Sequence, residues 1–297
     1  MKIVVAGKEL RGDLIRFAVM RNDAVPIPVT LEAEIRVDES NKTGLEEGQV
    51  ITVGQAEDKF YIIKSVHGDA RMAQGDHDTQ SVKITALLEN CYKTSFVQDK
   101  AIVKEKPTLS QCYKASGATF QSVDSDFPID RFMVYVGESP TFHISRALQE
   151  SGGIIRWKKG KMKFFKLPDL FKQEPVIDLP DNASQDIKSG FSERHAVQSF
   201  YSLDENGKFV YGNKEKARSA RFMPHMNEQQ LRNLTRCLVQ RKIAKIYYNE
   251  DICAGDLVNV VNAKPLVVVT SAHVYTSGTD GGSTEQYTKL WLSELSG

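Results

Sequence analysis

The chain has 297 residues, 41% hydrophobic and 26% charged, which is enough for two or three compact domains and too apolar for wholesale disorder. Its 39 basic and 38 acidic side chains leave a net charge of +1, without the basic excess that coating nucleic acid requires. No apolar run is long enough to span a membrane, and the run at residues 3–6 is too short for a secretion signal, so the chain is expected to begin in the cytoplasm.

The first hundred residues read as strands at 3–6, 14–20, 29–37, 50–53, 60–66 and 82–88. Val29, Leu31, Ala33, Ile35 and Val37 alternate with Thr30, Glu32, Glu34 and Arg36, a period of two with one face buried. Turn residues at 21–23, 41–44 and 68–69 separate these runs, and the spacing predicts a small antiparallel barrel or sandwich. Residues 69–78 form a polar connection, expected to be a mobile loop.

The middle changes character. Thr108 can cap a short helix with an apolar stripe of Leu109, Cys112 and Tyr113, closed by Gly117. Ser139 is a natural cap for a second helix. Pro140 suits its first position, Ile144, Ala147 and Leu148 form its inward face, and Gly152-Gly153 stop it. A hairpin follows directly: 154–157, a turn at 158–161, and 162–167. Residues 168–190, with three prolines, read as a surface linker.

The final third is again β-rich, with a hairpin over 195–203 and 209–211 and strands at 243–248, 257–261, 266–275 and 287–295. One helix is predicted over 227–242, capped by Asn227, with Leu231, Leu234 and Leu238 on its buried face. The glycines of 278–282 mark an exposed turn.

Sites for chemistry are hard to find. No phosphate-binding glycine loop, zinc-protease helix or serine-nucleophile elbow occurs. His67 and His77 with Asp69, Asp76 and Asp78 could cradle a metal, but a solvated loop accounts for them; His143, His195, His225 and His273 have no ligand spacing. Cys91, Cys112, Cys237 and Cys253 read as buried free thiols. Ser139 is accounted for by helix capping. The nearest approaches to a glycosidase carboxylate pair are Glu46 with Glu47 and Asp124 with Asp126, on exposed turns. Arg156, Trp157, Lys158, Lys159, Lys161, Lys163, Phe164, Phe165 and Lys166 interleave cations with aromatics. This hairpin, 156–166, could grip a single nucleic-acid strand, or it is amphipathic, with Ile155 and Trp157 inward and Arg156 and Lys158 in water.

Two stretches resemble the tail-hub family, which includes baseplate hubs of T-even phages, late-control D proteins and the N-terminal part of type VI secretion spike proteins. The first is the helix ending Glu150-Ser151-Gly152-Gly153, followed by a hairpin with Trp157. The second is Ile252-Cys253-Ala254-Gly255-Asp256-Leu257-Val258, an entry into a barrel strand, followed by 266–273 and a last strand through Leu290-Trp291-Leu292. The resemblance implies a β-rich α+β fold with two small antiparallel tube-type barrels, at 1–98 and 191–297, around a helix-plus-hairpin insert at 99–190. It implies a non-enzymatic baseplate hub with no catalytic, cofactor or metal residues. Three copies would form a pseudo-sixfold ring joining a hexameric tail tube to a trimeric spike, with other baseplate proteins around it and DNA or effector passing through unbound. The spike is expected to be a separate protein, and the place of the chain to be the cytoplasm during assembly and then the tail of a virion or phage-like particle. The other readings are a nucleic-acid-binding barrel using the 156–166 hairpin and a tail-associated cell-wall hydrolase.

Overall fold

Alternating apolar residues do build strands throughout the first third of the chain, as its computed structural model shows; the structure describes residues 1–38, 41, 43–68, 81–180, 184–186, 198–213, 219–261, 263–278 and 283–296. Here lie β1 (Ile3–Val5), β2 (Lys8–Glu9), β3 (Ile15–Asp23), β4 (Val29–Arg36), β5 (Val50–Val53), β6 (Asp58–His67) and β7 (Ser81–Leu88). In β4 the residues Leu31, Ala33 and Ile35 are buried, while Thr30, Glu32 and Glu34 lie on the other face.

The middle holds β8 (Ile102–Glu105), α1 (Leu109–Ala115), β9 (Arg131–Val134), α2 (Pro140–Ser151), β10 (Gly153–Lys158) and β11 (Lys161–Lys166). Thr108 and Gln111 form a reciprocal capping box on α1. Gly152, at φ +61°, ends α2 in the left-handed conformation that glycine adopts without strain. Lys159 and Gly160, both at positive φ, make the two-residue turn between β10 and β11.

The last part contributes β12 (Asp178–Leu179), β13 (Ser184–Asp186), β14 (Ser199–Leu203), β15 (Phe209–Tyr211), β16 (Ala220–Phe222) and α3 (Glu228–Thr235). It ends with β17 (Cys237–Tyr247), β18 (Leu257–Val260), β19 (Leu266–Thr276) and β20 (Glu285–Ser296).

Strands from both ends of the chain share one sheet. β3 pairs antiparallel with β19 from Asp23 opposite Thr270 to Phe17 opposite Thr276. The resulting sheet has 13 strands among the described residues, with β17, β20, β19, β3, β4, β7, β6, β5, β1 and β2 in lateral order. The expected pair of barrels is thus seen as one curled, continuous sheet rather than as two separate closed bodies. Its inner face buries Ala18, Met20, Leu31, Ile62 and Leu88 against Leu109, Tyr113, Ile155, Trp157 and Phe164 of the middle segment. A second core, around Leu179, Ala244, Val258, Leu290 and Leu292, lies toward the C-terminal strands.

Four local expectations need correction. The predicted helix over 227–242 stops at Thr235, because Cys237 to Lys242 pair with β20 as part of an eleven-residue strand. Leucines at 231, 234 and 238 fit helical spacing, but cross-strand pairing decides the last of them. Residues 21–23 are not a turn: they continue β3, and the chain reverses at 24–28. The stretch 168–190 is not merely a surface linker, since Leu170 and Leu179 are buried and β12 pairs parallel with β18. Ser139 stands at the cap position of α2 but does not cap it. Its hydroxyl instead lies 3.1 Å from the Ser95 carbonyl, tying the helix start to the preceding loop.

Candidate functional site

The hairpin β10–β11 meets the turn before β18 at a buried carboxylate. Asp256 is 1% exposed and accepts from Arg156 Nη1 at 2.9 Å, Lys158 Nζ at 2.7 Å and the Cys253 amide at 2.9 Å. Such burial is tolerable only because both oxygens are engaged by cations and an amide. The Arg156 guanidinium also donates to Gln173 Oε1 at 2.9 Å and lies over the Phe165 ring. Gln173 returns a bond to the Gly255 carbonyl.

Asn22 secures the same junction from the sheet. Its amide nitrogen donates to the Trp157 carbonyl at 3.1 Å, and its oxygen accepts from the Ala254 amide at 2.9 Å. The two sequence stretches that carry the family resemblance therefore lie against each other, locked by Asp256 and Asn22. Gly255, at φ +88°, sits close to the hairpin: a Cβ there would lie 3.3 Å from the Arg156 side chain, which would have to shift. Gly255→Ala is expected to cost about 1 to 2 kcal/mol by chemical denaturation, from left-handed strain plus this contact. An unchanged midpoint would mean the turn relaxes freely.

This geometry changes the reading of the basic hairpin. Arg156 and Lys158 do not point into water but clamp Asp256. Lys159 pairs with Asp251 at 2.8 Å, Lys161 lies 3.8 Å from Asp124, and Lys166 donates to the Ser151 carbonyl. Lys163 covers the Phe165 ring. Ile154, Trp157, Met162, Phe164 and Phe165 are buried, so no aromatic of the hairpin is presented to a base.

Beside the junction is a cleft of about 370 Å³ lined by Met20, Asp58, Trp157, Glu250, Cys253 and His273. Burial pushes the Asp58 carboxyl up to about 6, opposed by the hydrogen bond from Trp157 Nε1 at 3.1 Å and helped by the nearby Glu250 charge. Burial also lowers His273 to about 4; its Nδ1 lies 3.0 Å from Thr288 Oγ1. Glu250 accepts from the Tyr248 hydroxyl and from the Gln55 amide, and Tyr248 is raised above the usual phenol range by burial. Burial lifts the Cys253 thiol to about 12, which leaves it unreactive at neutral pH.

Sequence reasoning singled out none of Asp58, Glu250 or His273 for this cleft. Single acidic residues at strand ends carry no local signal, and only pairing of distant strands brings them together. The carboxylates it did single out lie elsewhere: Glu46 and Glu47 are exposed, Asp124 faces Lys161, and Asp126 accepts from the Ser110 and Phe127 amides. His77, Asp69, Asp76 and Asp78 lie outside the described residues, as do His195 and most of the 278–282 turn. His143 is hydrogen-bonded to Glu138 at 2.8 Å. Cys91 and Cys112 are buried thiols, both raised to about 12 by desolvation, and Cys237 is half-buried.

The outer face of the large sheet is open. Arg21, Lys64, Lys83, Lys245 and Lys289 share it with Asp23, Glu32, Glu34 and Glu285. Arg21 lies 3.7 Å from Asp23, Lys83 3.8 Å from Glu34, and Lys245 3.4 Å from Glu285. Charges of both signs are thus interspersed across the face, which presents no field of one sign.

The sequence matches no protein-family model and no curated protein. Solved structures do match over nearly the whole length. A tail protein from Neisseria meningitidis MC58 is 12% identical with a TM-score of 0.65, covering 99% of this chain and 95% of its own. The 43 kDa tail protein of prophage MuSo2 from Shewanella oneidensis is 12% identical with a TM-score of 0.63, covering 98% and 97%. An E. coli type VI secretion component, described as similar to the T4 tail proteins gp27 and gp5, is 10% identical with a TM-score of 0.60, covering 100% of this chain and 77% of its own. Over nearly its whole length, this chain has the fold of phage tail proteins and of a type VI secretion component similar to them.

Proposed function

We propose that the chain is a baseplate hub subunit of a contractile tail or related injection machine, a structural part rather than an enzyme. Three copies would close a ring of pseudo-sixfold symmetry between a hexameric tail tube and a separate trimeric spike, with other baseplate proteins at its rim. The observation that carries this reading is the β3–β19 pairing, which sets strands from the two ends of the chain side by side in one curled sheet. Two tube-type units per chain, at 1–98 and 191–297, would give six units in three copies, and so a match to sixfold and threefold partners at once.

The open sheet face suits a channel lining. Three of its cations lie within 4 Å of carboxylates on the same face, which weakens its hold on a polyanion or a folded effector passing through. The tied cations of the 156–166 hairpin speak against the nucleic-acid-binding alternative.

The test is the solution mass of the purified protein with negative-stain images of the same fraction. Three copies in an annulus are expected, alone or on adding tube and spike proteins. A protein that stays monomeric and joins neither partner would end the hub reading, whatever its fold.

A further inference from the structure

Several exposed apolar residues lie on or next to β8, β9 and the start of α2. Phe96 is 45% exposed, Val97 69%, Val103 54%, Tyr135 57%, Val136 64% and Phe142 68%. Two loops bring several of them together: the Gln98 amide donates to the Glu138 carbonyl at 3.0 Å, and the Gly137 amide to the Gln98 carbonyl at 2.8 Å. Phe96 and Val97 are thereby clasped beside Tyr135 and Val136. Scattered single apolar residues on a surface need no account, but a clasped group of this kind marks a contact surface.

The strand beside them has a free edge. Among the described residues β8 pairs with β9 alone, from Ile102 opposite Val134 to Glu105 opposite Arg131. Val103, Lys104 and Glu105 are all exposed, and among the described residues no strand pairs with its outer edge. An uncovered edge offers unpaired amide and carbonyl groups to an incoming strand.

Charge says what kind of strand it would be. Glu105 is paired with Arg131 at 2.9 Å and Glu150 with Arg146, while Glu138 is hydrogen-bonded to His143. Lys100, Lys104 and Lys106 are exposed and have no ion pair among the described residues. Edge lysines by themselves guard against aggregation, because they repel a second copy of the same strand. Lysines beside exposed valines and aromatics on a free edge do more: they select an acidic partner with apolar anchors. We infer that β8 and the adjoining apolar surface dock an extended segment of another protein that alternates apolar and acidic residues and adds to β8 as a third strand.

The test uses the full chain and a synthetic nine-residue probe of alternating valine and glutamate. Amide hydrogen exchange is followed with and without the probe, and affinity is measured by fluorescence anisotropy. Slowed exchange at 102–105 is expected, with affinity about tenfold weaker at 0.5 M salt and in the Lys100→Glu, Lys104→Glu, Lys106→Glu variant, as three surface ion pairs imply. These lysines are exposed, so the variant should fold like the parent; an unchanged thermal midpoint checks it. No protection of 102–105 at millimolar probe would overturn the inference, as would equal protection by a valine–lysine probe. Protection that rises with protein concentration and no probe would instead assign the edge to a second copy of this chain, against the acidic partner. None of these readouts depends on ring formation, so failure here and failure of the hub reading are separable.

Discussion

Asp256→Asn is expected to destabilise the protein by roughly 3–5 kcal/mol, as breaking one side of a buried ion pair does. Asp256 is fully buried and is the carboxylate shared by Arg156 and Lys158, whose side chains are 15% and 26% exposed. Removing its charge leaves two cations facing each other with no anion between them. The hairpin should loosen from β18, since the triad and Asn22 are what bind its tip to the turn at 252–256. Urea unfolding followed by tryptophan fluorescence reads both effects, because Trp157 lies in that hairpin. Combining Asp256→Asn with Arg156→Met and Lys158→Met should recover much of the loss, since apolar groups of similar volume remove the uncompensated charge. A loss below about 1 kcal/mol for the single variant would show that both cations can reach water instead.

The second large effect is on pH dependence, where two groups of one cleft oppose each other. Asp58 titrates near 6 when folded and 3.8 as its ordinary value, so between these the folded state holds the extra proton and acidification stabilises. His273 titrates near 4 when folded and 6.5 ordinarily, so the unfolded state takes the proton first and acidification destabilises between 6.5 and 4. Each contribution reaches about 3 kcal/mol over its window, at 1.36 kcal/mol per unit. In the parent protein they nearly cancel. Asp58→Asn should therefore unmask acid sensitivity, losing about 3 kcal/mol relative to the parent between pH 7 and 4. His273→Asn should do the reverse and gain stability over the same range. Glu250, Asp251, Lys158 and Lys159 also line the cleft and are common to all three proteins, so the difference from the parent is the quantity to measure. Parallel stability–pH curves for parent and both variants would show that neither side chain is as desolvated as the fold places it.

Much of the local structure could be read directly from residue order. The period-two patterns of β4 and β7 depend only on which residues face a core, and the helix starts at Thr108 and Asn227 depend on capping boxes four residues long. The hairpin turn at Lys159-Gly160 and the stop at Gly152 follow from backbone geometry that few residues adopt. All these signals are short-range. Where two periods fit the same residues, as at Leu231, Leu234 and Leu238, sequence alone chose helix too far, and pairing with β20 corrected it.

The sequence by itself determined a β-rich chain with a capped helix running into an aromatic hairpin, and it determined the two stretches that resemble tail hubs. Only the tertiary structure decided that these stretches touch, because Arg156 and Asp256 lie 100 residues apart and nothing local specifies which cation a carboxylate meets. It likewise decided that β3 joins β19, and so that strands from the chain's two ends share one sheet. Strand pairing is a property of two backbones brought together by their buried faces; each strand's own residues say which face is buried but not which neighbour lies at its edge.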